Sequence, residues 1–204
     1  MGSYIVGITG ASGAIYARNM LRALLSLKHE VSLTITDPGF RVLREELSWE
    51  LPQPRAADMV NAIKFYLGWE EDKDIPLRYF DHRDIGAEIA SGSARNDGMI
   101  VIPCTVSTLS GIACGASENL VERAADIMLK EKRQLVLVPR ETPLNQIHLK
   151  NMLELASMGA HIVPAAPAFY HKPETIEDLV NFVVGRVLDL LKIEHNLFKR
   201  WQGS

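Results

Sequence analysis

Residues 4–25 read YIVGITGASGAIYARNMLRALL, and this stretch decides the fold. Tyr4, Ile5, Val6 and Ile8 form the short apolar run of an interior parallel strand. Gly7, Gly10 and Gly13 recur every three residues and allow a sharp turn with close backbone approach. Ile15, Met20, Leu21, Leu24 and Leu25 mark the inner side of a helix over about 13–27. A helix so placed turns its free N–H groups and positive dipole end toward the glycine turn, where a phosphate is expected. Ser12 adds a hydroxyl. Two other uses of the pattern stay open. A dinucleotide site wants an acidic residue after the second strand, and Asp37 lies there. A nucleophile elbow wants Gly-x-Ser-x-Gly, but Ala14 stands at its last position.

Outward from this unit, strands and helices alternate. The strands expected are 31–36, 77–80, 98–103, 135–139 and 161–163. Helices are expected over 41–50, 56–67, 118–132, from Thr142-Pro143 to about 158, and after the Thr175 cap. In the last, Ile176, Leu179, Val180, Val183, Val187, Leu190 and Leu191 form an apolar stripe. Asp37-Pro38-Gly39 reads as a turn, 51–54 as a break and 68–76 as a surface loop. The sum is one α/β domain over 1–204, a doubly wound, Rossmann-like parallel sheet with helices on both faces. The tail, 194–204, carries Leu197, Phe198 and Trp201, which need cover from the domain or a neighbouring subunit.

A chain of 204 residues holds one ample core. Its net charge of −3 points to neither nucleic acid nor a membrane surface. No apolar run reaches the roughly 20 residues a membrane span needs, and the N-terminus enters a strand without a signal-like segment. Cys104 and Cys114 make no disulfide framework or zinc spacing, so a cytoplasmic location and no structural metal are expected.

The carboxyl ends of the strands collect the chemistry. Thr36 ends the second strand, Thr105, Ser107 and Thr108 follow the fourth, and Arg140-Glu141 follow the fifth. Arg123, Lys130, Arg186 and Tyr170 are further candidates. Residues 90–94, Ala-Ser-Gly-Ser-Ala, are either a plain linker or an anion cradle. Glu45 and Glu46 read as a solvated acidic face. The positive charge exceeds what one phosphomonoester needs, so two phosphate-bearing ligands fit better than one. Residue reading alone stops at a transferase, lyase or reductase of phosphorylated ligands.

Six stretches together resemble the flavin prenyltransferase (UbiX-like) family, within the homo-oligomeric flavin-containing cysteine decarboxylase superfamily. They are GITGASGAIYA (7–17), ASGS (90–93), PCTVSTLSGIACG (103–115), ERAADIMLKE (122–131), LVLVPRETPLNQIHLKNM (135–152) and GAHIVPAAPAFYHKP (159–173). The resemblance implies an enzyme that binds FMN between subunits, commonly in a dodecamer. It implies transfer of a dimethylallyl group from dimethylallyl phosphate to N5 and C6 of reduced FMN, without a metal. The product, prenylated FMN, would serve a UbiD-type decarboxylase, with ubiquinone biosynthesis as one such setting. By the same resemblance Gly10, Ala11, Ser12, Thr36, Thr105, Val106, Ser107 and Thr108 contact FMN, with Arg140 at its phosphate. Ser91, Gly92, Arg123, Lys130, Tyr170 and Arg186 hold dimethylallyl phosphate. Ser12 and Glu141 relay protons, and Glu46 matches a glutamate near the prenyl site. Thr36-Asp37-Pro38-Gly39 departs from the Ser-Lys-Ala-Ala common in the family. The alternatives are an FMN-dependent decarboxylase of the same superfamily, for which the Pro-x-Met-Asn motif is missing, a non-catalytic flavin carrier, and a dinucleotide-dependent reductase, for which Tyr-x-x-x-Lys is missing.

Overall fold

Tyr4, Val6 and Ile8 point to one face of the first strand and Ile5 to the other, so both faces need cover. The computed structural model describes residues 1–52, 58–69 and 75–201. In it that strand, β1 (Ser3–Ile8), is central to a six-stranded sheet. The others are β2 (Glu30–Ile35), β3 (Leu77–Asp81), β4 (Gly98–Cys104), β5 (Gln134–Pro139) and β6 (His161–Ile162). All pairings are parallel, in the order β3-β2-β1-β4-β5-β6. The helices are α1 (Ala14–Ser26), α2 (Asp37–Leu47), α3 (Met59–Leu67), α4 (Val106–Ala113), α5 (Leu120–Lys130), α6 (Gln146–Ser157) and α7 (Ile176–Leu190). This is the doubly wound α/β fold read from the sequence. The order reverses between β1 and β4, and the carboxyl ends there form the crevice where such sheets take ligands.

Two cores sandwich the sheet. One joins α1, α2, α3 and α7 to Val6, Ile8, Leu33 and Val138; the other joins α4, α5 and α6 to Ile5, Met99 and Leu137. Gly7 lets α5 close on the sheet, since a Cβ there would lie 3.1 Å from Val121 Cγ1. Between α1 and α7 the buried Asn19 amide donates to Glu177 and Asn181 at 2.8 and 2.9 Å, and Arg18 joins Glu177 at 2.8 Å. A buried amide so paired escapes the penalty of an unmet donor.

Several local expectations are corrected. Asp37-Pro38-Gly39 is no free turn but the first turn of α2, because the Thr36 hydroxyl accepts from the Gly39 N–H at 3.2 Å and proline suits that turn. Thr142-Pro143 does not open α6. Asn145 caps it, accepting from His148 N–H at 2.9 Å while the His148 ring accepts from Asn145 N–H at 3.3 Å. The hydroxyl-rich junction after β4 contains α4, capped by Thr105. Ile176 leaves the apolar stripe of α7 and is 71% exposed, because it lies in the helix's first turn. The expectations for 53–57 and 70–74, parts of the break, the third helix and the surface loop, lie outside the described residues, as do 202–204.

Residues 194–201 pack on α7 of the same chain. Phe198 lies 5.0 Å from Phe182 between ring centroids, over Gly185, where a Cβ would meet Phe198 at 2.5 Å. Asp189 anchors the segment. Its carboxylate accepts from Arg200 at 2.7 Å, Arg186 at 3.0 Å and His195 Nε2 at 3.1 Å. Leu197 N–H donates to His195 Nδ1 at 3.2 Å. Burial alone would raise the Asp189 carboxyl, but the hydrogen bonds and charges of Arg200 and then His195 hold it below its ordinary value of 3.8. A depressed carboxyl stabilises the fold above its unfolded pKa, and that contribution is lost as pH falls through the folded value. Trp201 fluorescence therefore reports an acid release of the tail below about pH 4. Asp189→Asn removes that pH dependence; an unchanged acid step in the variant would contradict this anchoring.

Candidate functional site

Three helices begin at one place on the carboxyl edge. Thr36 caps α2, Thr105 caps α4, accepting from Thr108 N–H at 3.0 Å, and Asn119 caps α5, accepting from Glu122 N–H at 3.1 Å. All three caps line a cavity of about 520 Å³ together with Thr9, Gly10, Ser107, Thr108, His82 and Arg83, and with the acidic residues Asp37, Glu118 and Glu122, of which Asp37 is paired with Arg83 and Glu122 accepts from Glu118 N–H at 3.0 Å. Val106 and Ser107, first in α4, have no carbonyl one turn back for their N–H groups. Converging N–H groups, dipole ends and hydroxyls suit an anion. Gly10 forms the floor against α2, where any Cβ would overlap the Pro38 Cβ.

The start of α1, where the phosphate was expected, has a different occupant. The Glu46 carboxylate accepts from Gly13 N–H at 2.9 Å and Ala14 N–H at 2.8 Å. Glu46 is therefore not a free member of a solvated face, and the chain's own carboxylate fills the anion position at that helix. Beside it the Arg140 Nε donates to the Ser12 carbonyl at 3.0 Å. So Ser12, Glu46 and Arg140 share one wall next to the cavity, and Glu141 follows Arg140 with its carboxylate accepting from Thr142 N–H at 3.1 Å. Asp37, the residue that kept a dinucleotide site open, is engaged at the rim by Arg83 at 2.7 and 2.8 Å.

The remaining candidates lie elsewhere. Ser91 lines a second cavity, of about 900 Å³, with Ser3, Glu30 and Leu77, which are the first residues of β1, β2 and β3. This is the amino edge of the sheet. Gly92 adjoins Lys130, whose ammonium a Cβ on Gly92 would meet at 3.3 Å, and Lys130 pairs with Glu131 at 3.2 Å. Arg123 sits on α5 beside Asp126 at 3.3 Å. Tyr170, in the loop before α7, and Arg186, on α7, belong to the opposite face of the sheet: Tyr170 meets Phe182 edge-on at 5.8 Å, and Arg186 pairs with Asp189. A strand rises about 3.3 Å per residue, so the six steps from Gln134, where β5 begins, to Arg140 span about 20 Å, with Lys130 before the strand and Arg140 after it. One chain gathers Gly10, Thr36, Thr105, Ser107 and Thr108 of the residues expected at the flavin around one cavity, and scatters those expected at the donor phosphate.

Sequence reading missed His82, Arg83, Asn119 and Thr9 in the first cavity. His82 and Arg83 directly follow β3, so the rule that picked out Thr36 and Thr105 also reaches them. Asn119 carried a cap signal before an apolar helix.

Residues 3–188 match the Flavoprotein family. The chain is 54% identical over 200 residues to the flavin prenyltransferase UbiX of Halalkalibacterium halodurans, covering 98% of this chain and 93% of that one. It is 45% identical over 197 residues to the UbiX of Methanocaldococcus jannaschii, covering 97% of each. Its fold superposes on AnUbiX (PadA1), crystallised with FMN and dimethylallyl pyrophosphate, with a TM-score of 0.85 at 38% identity, covering 100% and 98%. The peptidyl-cysteine decarboxylase EpiD, at 14% identity and a TM-score of 0.60, covering 94% and 98%, shares the fold alone. The chain therefore belongs to the Flavoprotein family and, within it, to the UbiX flavin prenyltransferases.

Proposed function

We propose that this enzyme transfers a dimethylallyl group from dimethylallyl phosphate to N5 and C6 of reduced FMN, and that its active site is completed by neighbouring copies of the chain. The observation that carries the reading is the cavity where α2, α4 and α5 begin. Its hydroxyls, free N–H groups and closely packed Gly10 suit a phosphorylated cofactor such as FMN. In this reading Gly10, Ala11, Thr36, Thr105, Val106, Ser107, Thr108 and Arg140 hold FMN. Bound reduced FMN supplies electron-rich positions to the alkyl group.

The protein's part is charge and protons. Arg123 and Lys130, with Ser91 and Gly92, bind the donor phosphate and stabilise the negative charge that grows on it as the carbon–oxygen bond breaks. Tyr170 and Arg186 add a phenol and a guanidinium from the other face. Ser12 Oγ and the Glu141 carboxylate hold and pass a proton, and Glu46 keeps the loop carrying Ser12 in place through Gly13 and Ala14 N–H.

Opposite edges and faces of one sheet cannot meet at one small donor, so the reading needs more than one copy. A dodecameric UbiX-like relative from Escherichia coli O157:H7 has a TM-score of 0.83 at 43% identity, covering 98% of this chain and 100% of that one. On this chain α6 exposes Leu149 and Leu153 on one face and Ile147 on another, apolar surface suited to a second copy. No described helix is long and apolar enough to cross a membrane. The proposed setting is the cytoplasm, with a UbiD-type decarboxylase receiving prenylated FMN.

The test is direct. Protein loaded with FMN is reduced without oxygen and given dimethylallyl phosphate. The flavin gains the mass of a single five-carbon unit and inorganic phosphate appears in equal amount. Bound, reduced flavin with no added mass and no phosphate would exclude the reading; release of CO2 from a substrate carboxylate would favour the decarboxylase.

A further inference from the structure

We propose that Arg133 is the positioning residue of the donor-phosphate subsite, acting as a clamp on the Ser91–Ala94 loop; the inference deepens the proposed function and rests on it for the role of Ser91, Gly92 and Lys130. Its geometry begins in the way α5 stops. Lys132 takes a left-handed conformation at φ 53°, its N–H bonds to Leu129 O at 3.1 Å, and Arg133 N–H bonds to Met128 O at 2.8 Å. This pair of bonds closes the helix and turns the chain back toward β5. It also fixes where the Arg133 side chain leaves the backbone.

From there the guanidinium reaches across to the loop before β4. Nη1 donates to Ala94 O and Nη2 to Gly92 O, both at 2.6 Å. Two charge-assisted bonds from one planar fork set position and orientation together, which a lysine ammonium cannot do. The loop is tightened by its own bonds as well: Ala94 N–H donates to Ser91 O at 3.1 Å, and the Ser91 and Ser93 hydroxyls bond at 2.8 Å. On its other side Gly92 lies against Glu131 Oε1, 2.7 Å from where a Cβ would be. Two carbonyls of a four-residue loop are thus pulled onto Arg133. Ser91 and Gly92 are thereby held beside Lys130, the last residue of α5. Without the fork, nothing described ties the loop carbonyls to the helix end that carries Lys130. Arg133 itself need not touch the donor.

The experiment compares Arg133→Ala, Arg133→Lys and Lys130→Ala in the FMN-loaded full-length enzyme. Arg133→Ala raises KM for dimethylallyl phosphate about tenfold or more while kcat changes by less than about threefold and FMN affinity stays within about twofold. Arg133→Lys, which restores charge without the fork, falls between. Amides of 91–94 exchange hydrogen faster in Arg133→Ala, and those of α7 do not. If Lys130→Ala weakens the donor but both Arg133 variants keep wild-type KM and exchange, the clamp is wrong and the donor subsite stands. If Lys130→Ala leaves donor kinetics unchanged, the donor subsite reading fails and the clamp's proposed role fails with it. Should Arg133→Ala not fold, Arg133→Lys still decides through KM and exchange.

Discussion

Co-expressing Lys130→Ala with Arg140→Ala restores activity that neither variant has alone. In the proposed function each substitution removes a cation from a phosphate site, and losing one such group costs about 100-fold or more in rate. In one chain the two residues bracket β5 and sit at opposite edges of the sheet, with the whole strand between them. An active site that takes its carboxyl-edge wall from one copy and its Lys130 from another regains both native residues whenever a Lys130→Ala copy meets an Arg140→Ala copy in the right order. With random mixing this holds for about one quarter of sites in a symmetric assembly. The measurement is phosphate release by purified hetero-oligomers carrying two different tags. Activity no higher than that of the single variants would show that each chain works alone, and the composite site would be lost.

Gly10→Ala abolishes tight FMN binding, with affinity falling about 100-fold. The added methyl overlaps the Pro38 Cβ. Pro38 cannot yield easily, because the first turn of α2 is pinned twice. Thr36 Oγ1 accepts from Gly39 N–H, and Gly39 packs so closely on β1 that a Cβ there would come 2.7 Å from Ile8 O. The strain passes to the start of α2, and Thr36 moves away from Thr105 across the cavity. Overpacking of this kind costs about 1–3 kcal/mol. For a chain of this size each kcal/mol lowers Tm by about 2–4 °C. Flavin fluorescence titration and thermal unfolding of the apoprotein read the two effects separately. Native affinity at native Tm in Gly10→Ala would show that α2 has slack at this contact and that Gly10 is not needed there.

Much of this was legible before the structure. The β1–turn–α1 unit, all six strands and the carboxyl-edge positions of Thr36, Thr105, Ser107 and Thr108 follow from apolar runs, glycines and caps, which are properties of neighbouring residues. The Thr175 cap is one such case. Its side chain accepts from Asp178 N–H and Asp178 reaches back to Thr175 N–H. Local rules failed where two local signals competed. Asp37-Pro38-Gly39 has turn composition, yet proline after a threonine cap also begins a helix, and packing of Gly39 on Ile8 chose the helix. Glu46 could not be read as the partner of Gly13 and Ala14, since that contact depends on how α2 lies across α1.

Hydrophobic periodicity and capping act over a few residues, so the string of amino acids was enough to name the strands, most of the helices and the alternating class they make, but not α4, whose small hydroxyl residues carry no apolar periodicity. Which loops meet depends on strand order, and strand order is settled by burying both faces of β1 at once. Only folding could therefore gather Thr36, Thr105 and Asn119 around one cavity. It also sent Lys130 and Arg140 to opposite edges, turned Arg133 onto the Gly92 and Ala94 carbonyls, and gave Asp189 three cationic or proton-donating partners.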